Sequence, residues 1–311
     1  MDLLADVLHQ SGVKRRILNQ RVFTKPAALR FPCDKSFGFH VVTQGKAYIH
    51  TPEHDEVIEL GAGDVALMAR GCDHIVSTSE KLPRKIMSME EAAQLSVDAT
   101  GEALLSIVSG AYQVWNKPVH PFFGELPRWY VLRAKEVGRF DQVDLAINLL
   151  ANETVKPDVG SNTMTQALVD IIFTQIIRKI IAQKNATPQT WSHALHNTHI
   201  RSALELMHAD CSHDWSLDEL AKRVGLSRAG FAQKFKTALG SPPLQYLATL
   251  RVQKAMDLLS NTTDKMEAVS QAVGYKDAFS FSKAFKKIAG MPPKEFRNRD
   301  REEKGLSWRF Q

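Results

Sequence analysis

The fold is decided by a stretch of sequence that occurs twice near the C-terminus. Residues 224–243 read VGLSRAGFAQKFKTALGSPP, and residues 273–293 read VGYKDAFSFSKAFKKIAGMPP. From Phe231 to Pro243 the second copy follows at a constant offset of 50 residues, whereas the Val-Gly pair recurs after 49. A repeat this regular predicts a duplicated structural unit.

Each copy has the pattern of a helix, a turn and a second helix. An apolar-periodic segment runs into a glycine, and phenylalanines four residues apart then mark the buried stripe of the next helix. The glycines, Gly225 and Gly274, supply the backbone freedom that a tight turn needs. Ser227 is expected to cap the second helix of the first copy. Paired prolines end each unit, because proline and the residue before it resist helix continuation.

Burial of the phenylalanines determines which side chains of each second helix face outward. Most of these side chains are small, polar or cationic, which suits a helix that lies against the phosphates and base edges of nucleic acid. The residues predicted to contact DNA are Ser227, Arg228, Ala229, Gln233, Lys236, Lys276, Phe279, Ser280, Lys283, Lys286 and Lys287. The alternative, that the lysines merely solvate a helix face, is disfavoured because the motif occurs twice.

The formal net charge of the chain, +6, is concentrated in the region of the repeat. Residues 1–199 contain 21 Lys and Arg against 21 Asp and Glu, whereas residues 200–300 contain 16 against 11. Positive charge confined to the double helix-turn-helix region indicates a polyanionic partner that is bound with salt-dependent affinity.

Residues 200–298 resemble the DNA-binding domain of AraC-type transcription regulators. The second half of that domain typically has a Val-Gly-aromatic turn, a helix ending Phe-Lys-Lys, and Gly-x-x-Pro-x-x-aromatic-Arg. These are matched here by Val273-Gly274-Tyr275, by Phe285-Lys286-Lys287 and by residues 290–297. The resemblance implies two helix-turn-helix units joined by a long helix, about residues 243–260, that present two recognition helices to successive major grooves of double-stranded DNA. It also makes RNA polymerase a candidate partner.

The first 200 residues have a different pattern, rich in predicted strands. Short alternating segments separated by Gly, Pro and Asp predict a meandering sheet or small barrel. The predicted strands are residues 39–43, 46–50, 56–60, 65–68, 104–108 and 129–132. Gly63-x5-Ala69-x-Gly71-x-x-His74 resembles the second motif of cupin barrels and implies the cupin-type sensor domain of AraC regulators. We therefore expect an α+β protein, with an N-terminal cupin-like β-barrel with helices and a C-terminal all-α double helix-turn-helix domain.

The resemblance to cupins raises the question of a metal site. A cupin barrel holds a metal through a His-x-His pair, a glutamate and a later histidine, but His40 is followed by two valines and no glutamate falls at the required distance. We therefore expect no metal and no other cofactor. His40, Cys72 and His74 are the candidate ligand-binding residues in the barrel mouth, where the histidines are expected to hydrogen-bond to backbone or to a small effector. An adjacent imidazolium would lower the pKa of the Cys72 thiol, which leaves a redox-sensing role open beside that of an inert thiol.

Two helical patterns, residues 140–151 and 164–183, follow the predicted barrel. The second is apolar over more of its surface than docking on one sheet requires. Its apolar residues are Leu168, Ile171, Ile172, Ile176, Ile177, Ile180 and Ile181. This excess predicts a homodimer, and the alternative is a helix buried wholly within one protomer.

The predicted domains are residues 1–187, for effector binding and dimerisation, and residues 196–298, for DNA binding, followed by a tail of residues 299–311. A linker is expected at residues 185–190. The three scattered cysteines lack C-x-x-C spacing, the N-terminus is acidic, and no apolar run approaches about 18 residues. These features predict a cytoplasmic protein that does not enter the membrane.

Together these patterns favour a regulator over an enzyme. The leading interpretation is a sequence-specific DNA-binding transcription regulator, an activator that responds to a small effector in the cupin-like domain. One alternative is a metal-dependent cupin enzyme with an accessory DNA-binding domain, against which the missing ligand set argues. Another is a nonspecific nucleoid-type binder, which would not distinguish a promoter from random duplex.

Overall fold

The structure is a computed structural model that describes residues 3–10, 13–31, 36–51, 54–69, 71–93, 102–114, 122–123, 126–138, 141–156, 158–183 and 194–305. The chain divides into two compact units. The sheet unit comprises Arg15–Gln113 and Leu126–Ile180, and the helical unit comprises Ile181–Leu306 with Met1–Lys14 and Val114–Glu125. The expected α+β class, a sheet followed by a helical region, is confirmed.

Among the described residues the sheet has eight strands, and its longest strand pairs with four of the others. The strands are β1 (Val13–Phe23), β2 (Ala28–Phe31), β3 (Ser36–Thr51), β4 (His54–Gly61), β5 (Val65–Met68), β6 (His74–Ser77), β7 (Leu105–Val114) and β8 (Trp129–Leu132). The first half of β3 pairs antiparallel with β5 and β7, and its second half pairs antiparallel with β4 and β6. Strand β3 therefore passes from one half of the sheet to the other.

Strand β3 also corrects the sequence-based assignment of two strands, residues 39–43 and 46–50. The Gln44-Gly45 pair reads as a turn but forms an irregularity within one continuous strand, where the pairing with β7 shifts between Val42 and Gln44. Gly45 has φ +78°, and a Cβ there would lie 1.9 Å from the carbonyl oxygen of Leu104. The predicted bounds of β5 and β8 are confirmed, whereas β1, β2 and β6 are not predicted by the alternation pattern.

The sheet unit also contains helices. They are α2 (Met89–Ala93), α3 (Gln142–Val155) and α4 (Ser161–Gln183), with a 3-10 turn at Ala134–Glu136. The two predicted helical segments are thus confirmed as α3 and α4. The predicted linker at residues 185–190 lies outside the described residues. On α4 most of the apolar side chains are buried, whereas Ile171 is 45% exposed. The buried ones are Leu168, Val169, Ile172, Phe173, Ile176, Ile177 and Ile180.

The helical unit contains the repeat. Its helices are α1 (Leu3–Gln10), α5 (Thr198–Ala209), α6 (Leu217–Arg223), α7 (Arg228–Leu239), α8 (Pro243–Asn261), α9 (Met266–Ala272), α10 (Ala278–Ala289) and α11 (Pro293–Gly305). Helices α6 and α7 form the first helix-turn-helix, α9 and α10 form the second, and α8 is the predicted long connection. Helix α11 extends beyond residue 299, where the tail was expected to begin.

The duplication is visible in the packing of aromatic rings. Phe231 and Phe235 meet edge to face at 5.6 Å between ring centroids, and Phe235 meets Tyr246 at 5.7 Å. Fifty residues later the same pairs recur at the same separations: Phe281 with Phe285 at 5.6 Å, and Phe285 with Phe296 at 5.7 Å. All four paired phenylalanines of α7 and α10 are fully buried. Edge-to-face contacts stabilise beyond area burial, so each unit is anchored by its own aromatic triad.

The N-terminal helix α1 belongs to the helical unit, although the sequence-based division assigned residues 1–187 to one domain. Helix α1 contacts α5 and α8, and its Leu3 and Val7 are buried. Asp6 pairs with Nδ1 of the buried His208, whose Nε2 lies 2.8 Å from the Tyr246 hydroxyl. The first residues of the chain therefore contribute to the packing around the first aromatic triad.

The turn glycines of the two units predict different responses to alanine. Gly225 and Gly274 have φ +71° and +82°, but a Cβ on Gly225 meets open space whereas one on Gly274 would lie 2.4 Å from the Ser212 carbonyl oxygen. Gly225→Ala should therefore cost about 1–2 kcal/mol from the left-handed backbone alone, and Gly274→Ala should cost clearly more. Urea unfolding of the full chain, followed by circular dichroism, measures both. Equal losses of stability would contradict the close contact at Gly274.

Candidate nucleic-acid interface

Helix α7 presents the predicted reading surface of the first unit. The Ser227 hydroxyl accepts a hydrogen bond from the Gly230 N–H at 3.2 Å and starts the helix, as the sequence predicts. Gly240, at φ +71°, ends it. Burial of Phe231, Phe235 and Ala238 turns the opposite face outward. The predicted contact residues of this helix are exposed: Ser227, Arg228, Ala229, Gln233 and Lys236.

Helix α10 presents the corresponding surface of the second unit. The Asp277 carboxylate accepts from the N–H groups of Ser280 and Phe279 at 2.7 and 2.9 Å and from the Ser280 hydroxyl. These hydrogen bonds, that from Ser280 N–H first, lower the pKa of Asp277. The one acid in the predicted contact segments thus serves as a helix cap. The remaining predicted residues are exposed: Lys276, Phe279, Ser280, Lys283, Lys286 and Lys287.

One predicted reading residue has a protein partner. Arg228 Nη1 lies 3.3 Å from Asp218 Oδ2 on α6, and both side chains are about two-thirds exposed. An ion pair this exposed contributes little to stability. Arg228 is therefore able to exchange this carboxylate for a phosphate or a base edge at small cost.

The sequence reasoning did not identify Arg251, which joins the two helix-turn-helix units. From α8, its Nε donates to the Cys211 carbonyl at 2.7 Å and its Nη2 donates to the His213 carbonyl at 2.8 Å. Its guanidinium also lies over the Tyr275 ring, 5.5 Å from the centroid. The loop before α6 and the turn before α10 are thereby tied to the same side chain. No sequence signal reveals this role. Two of the three partners are backbone carbonyls, and all three partners are distant from Arg251 in sequence.

In the sheet unit, two of the three predicted ligand-binding residues, His40 and His74, are in direct contact. His40 Nε2 and His74 Nε2 are 2.7 Å apart, and both side chains are buried. His40 Nδ1 lies 2.8 Å from Ser109 Oγ, and His74 Nδ1 lies 2.9 Å from the Cys72 carbonyl oxygen. Phe31 stacks on His74 at 5.2 Å, and Trp129 meets His74 edge-on at 5.1 Å. The predicted hydrogen bond from a barrel histidine to backbone is confirmed for His74.

The Cys72 carbonyl fixes the direction of this hydrogen-bond chain. A carbonyl only accepts, so His74 carries its proton on Nδ1 and its neutral Nε2 accepts from His40 Nε2–H. His40 Nδ1 is then an acceptor, and the Ser109 hydroxyl donates to it. Both rings are neutral in this arrangement. Burial lowers the pKa of His40, with a further lowering from His74, and burial lowers the pKa of His74 to about 4.

These protonation states bear on the two roles left open for Cys72. A thiol activated by a neighbouring imidazolium requires a charged His74, and a pKa of about 4 keeps His74 neutral at pH 7, which favours the alternative of an inert thiol. The two histidines supply at most two of the ligands that a cupin metal site needs. Within the described ranges, no three His, Cys, Asp or Glu side chains are grouped so as to hold a metal ion.

Comparisons with known proteins match both parts of the chain. Residues 2–182 match the family described as Cupin, and residues 220–299 match the family described as Helix-turn-helix domain. A putative AraC-like transcription regulator of Streptomyces lividans is 24% identical over 299 residues, which are 96% of this chain and 98% of that protein. The RCS-specific HTH-type transcriptional activator RclR of Escherichia coli is 28% identical over 265 residues, 85% of each chain.

Solved structures of the same kind also match. The crystal structure of an AraC-type DNA-binding domain-containing transcriptional regulator from Chromobacterium violaceum is 29% identical, covers 34% of this chain and 96% of its own, and has a TM-score of 0.33.

Among the described residues, none of the helices has the length and apolar character that crossing a bilayer requires.

The buried histidine pair predicts acid sensitivity of the sheet unit. With a folded pKa of about 4 for His74 against about 6.5 in the unfolded chain, the unfolded state binds more protons below pH 6.5, so stability falls as the pH falls towards 4. His74 alone should account for about 2 kcal/mol of loss between pH 7.5 and pH 5. Urea unfolding at the two pH values measures it. The double variant His40→Gln/His74→Gln should lose much of this pH dependence, and an unchanged dependence would contradict the assignment.

Proposed function

The chain belongs to the AraC family of DNA-binding transcription regulators with an N-terminal cupin domain, and we propose that it recognises a specific duplex sequence with α7 and α10 together. The observation that carries the proposal is the duplication itself. Two helices, each with a side-chain N-cap, a left-handed glycine at the C-terminal end and equivalent aromatic anchors, expose a face of polar and cationic side chains. An enzyme is not supported, because the relatives are named transcription regulators.

We assign the exposed side chains to two kinds of contact. Arg228, Gln233, Phe279, Ser280 and Lys283 read base edges, since they lie towards the N-terminal part of each second helix, where helix-turn-helix proteins contact bases. Phosphate neutralisation is assigned to lysines farther along the helices, Lys236, Lys286 and Lys287. Ser227, Ala229 and Lys276 lie beside the reading residues and complete the surface.

A small effector is proposed to bind in the sheet unit beside His40, Cys72 and His74. The support is a buried donor that makes no hydrogen bond. The Trp129 Nε1 atom is buried without a hydrogen-bond partner, and the Trp129 ring contacts the His74 ring. An effector with an acceptor atom would satisfy this donor. Activation, through contact with RNA polymerase, is proposed by analogy with RclR, which is named an activator. Because its proposed target is DNA, we propose that the protein acts in the cytoplasm.

A homodimer is proposed through α3 and α4 of the sheet unit. The two helices run antiparallel, because Asp141 pairs with Lys179 at 3.2 Å and Glu153 accepts from Ser161 at 2.6 Å. Apolar side chains remain exposed along this pair: Leu145 at 46%, Leu149 at 49% and Ile171 at 45%. Exposed apolar patches of this kind mark interaction sites. We propose residues 1–187 as the effector and dimer region, except that α1 packs in the helical unit, and residues 196–298 as the reading region.

Base-reading and phosphate-binding residues are expected to respond differently to alanine substitution. On duplex selected by the full-length protein from a random pool, Gln233→Ala and Lys283→Ala should each lose about 1–3 kcal/mol on the selected sequence and little on random duplex. Lys236→Ala should weaken both equally and reduce the slope of log K against log salt by about 1. Fluorescence anisotropy over a salt series measures these effects. If both Gln233→Ala and Lys283→Ala bind the selected duplex with the affinity of the parent, the assignment of the reading face is wrong.

The proposed dimer face is tested by placing a charge on it. Leu149→Glu puts a carboxylate among the exposed apolar side chains of α3 and should shift the protein from dimer to monomer in sedimentation at micromolar concentration, because burying an unpaired charge is costly. Leu82→Glu changes another exposed leucine that belongs to neither helix, 41% exposed, and should leave the dimer intact. A dimer that persists in the Leu149→Glu variant would show that the interface lies elsewhere.

A further inference from the structure

Phe279 is the most exposed phenylalanine side chain of the described residues and lies on a recognition helix. It is 80% exposed, whereas Phe281 and Phe285 on the same helix are completely buried. Packing within the helical unit therefore does not explain a phenyl ring at this position. An aromatic group exposed to this extent on the surface assigned to DNA indicates a contact that only the bound state completes.

The backbone that carries Phe279 is held in place before DNA arrives. Its N–H donates to Asp277 Oδ1 at 2.9 Å, and the next residue, Ser280, donates to the same carboxylate from its N–H and its hydroxyl. Phe279 lies in the first turn of α10, the part of a helix-turn-helix recognition helix that reaches base edges. Its neighbour one turn along, Lys283, is exposed on the same side.

The chemistry of the ring selects the base group that it recognises. In the major groove, the C5-methyl group of thymine is the apolar feature that distinguishes one base pair from the others, and apolar side chains read it by contact. We propose that Phe279 packs against a thymine methyl group in the half-site bound by α10. This inference rests on the proposed function, since it requires α10 to lie in the major groove.

The two copies of the repeat differ at this position, so the thymine contact is expected in only one half-site. At the position equivalent to Phe279, the first unit has Ala229, whose exposed methyl group reaches far less surface. The two reading helices therefore differ in chemistry: α7 offers Arg228 and Gln233 for hydrogen bonding, and α10 adds a large apolar contact. Sensitivity to a thymine methyl group should consequently be strong in one half-site, which gives the operator a defined orientation relative to the protein.

The test uses the full-length protein and the duplex that it selects from a random pool. Each thymine is replaced in turn by deoxyuridine, which removes only the methyl group, and affinity is measured by fluorescence anisotropy. For the parent, one or two replacements in a single half-site should weaken binding about three- to tenfold. Phe279→Ala should bind the unmodified duplex more weakly by a similar factor and should no longer distinguish thymine from deoxyuridine there. Phe279→Leu should retain part of the discrimination.

Gln233→Ala is the matched control: it should weaken binding through the other reading helix but keep the parent's ratio of affinities for thymine and deoxyuridine. Since Phe279 is exposed, its variants should fold, which the circular dichroism melt of each checks. A parent that distinguishes no thymine from deoxyuridine, or a Phe279→Ala variant that keeps the full discrimination, would overturn the proposal. A parent that selects no sequence over random duplex would instead contradict the proposed function, so the two failures are distinguishable.

Discussion

One guanidinium group ties the two helix-turn-helix units to each other, in addition to the long helix α8 that joins them. Arg251 donates to the carbonyls of Cys211 and His213 and lies over the Tyr275 ring. Charge-assisted hydrogen bonds are roughly twice as strong as neutral ones, and a cation over an aromatic ring adds to them. At the same junction, Gly274 brings its backbone close to that of Ser212. These contacts hold both recognition helices on one frame, so the protein presents a preset spacing to DNA.

The two copies of the helix-turn-helix unit have the same interior packing but different exposed side chains. The aromatic triads of the two copies have the same ring separations, because close-packed interiors tolerate little change in volume. The exposed positions are free of that constraint, and there Ala229 and Phe279 differ. Conserving the anchors while changing the reading side chains allows one chain to recognise two unlike half-sites, and hence an asymmetric operator.

The sequence predicts what is local or periodic. Phenylalanines four residues apart indicated the buried stripes of α7 and α10, the N-cap Ser227 indicated where α7 begins, and β5 and β8 followed from alternation. The continuous strand β3 was not predicted, because Gly45 is required by the close approach of Leu104 and not by a turn. Arg251 and the contact between His40 and His74 also escaped prediction, since both depend on partners more than 30 residues away in sequence.

The Arg251 junction is expected to fix the distance between α7 and α10. This role is tested most directly by the affinity of the full-length protein for its selected operator and for duplexes with one or two base pairs inserted between the half-sites. The parent should lose affinity steeply with each insertion. Arg251→Ala should bind the original operator more weakly and tolerate the insertions better, because its two units move more freely. An Arg251→Ala variant with the same dependence on spacing as the parent would contradict the account.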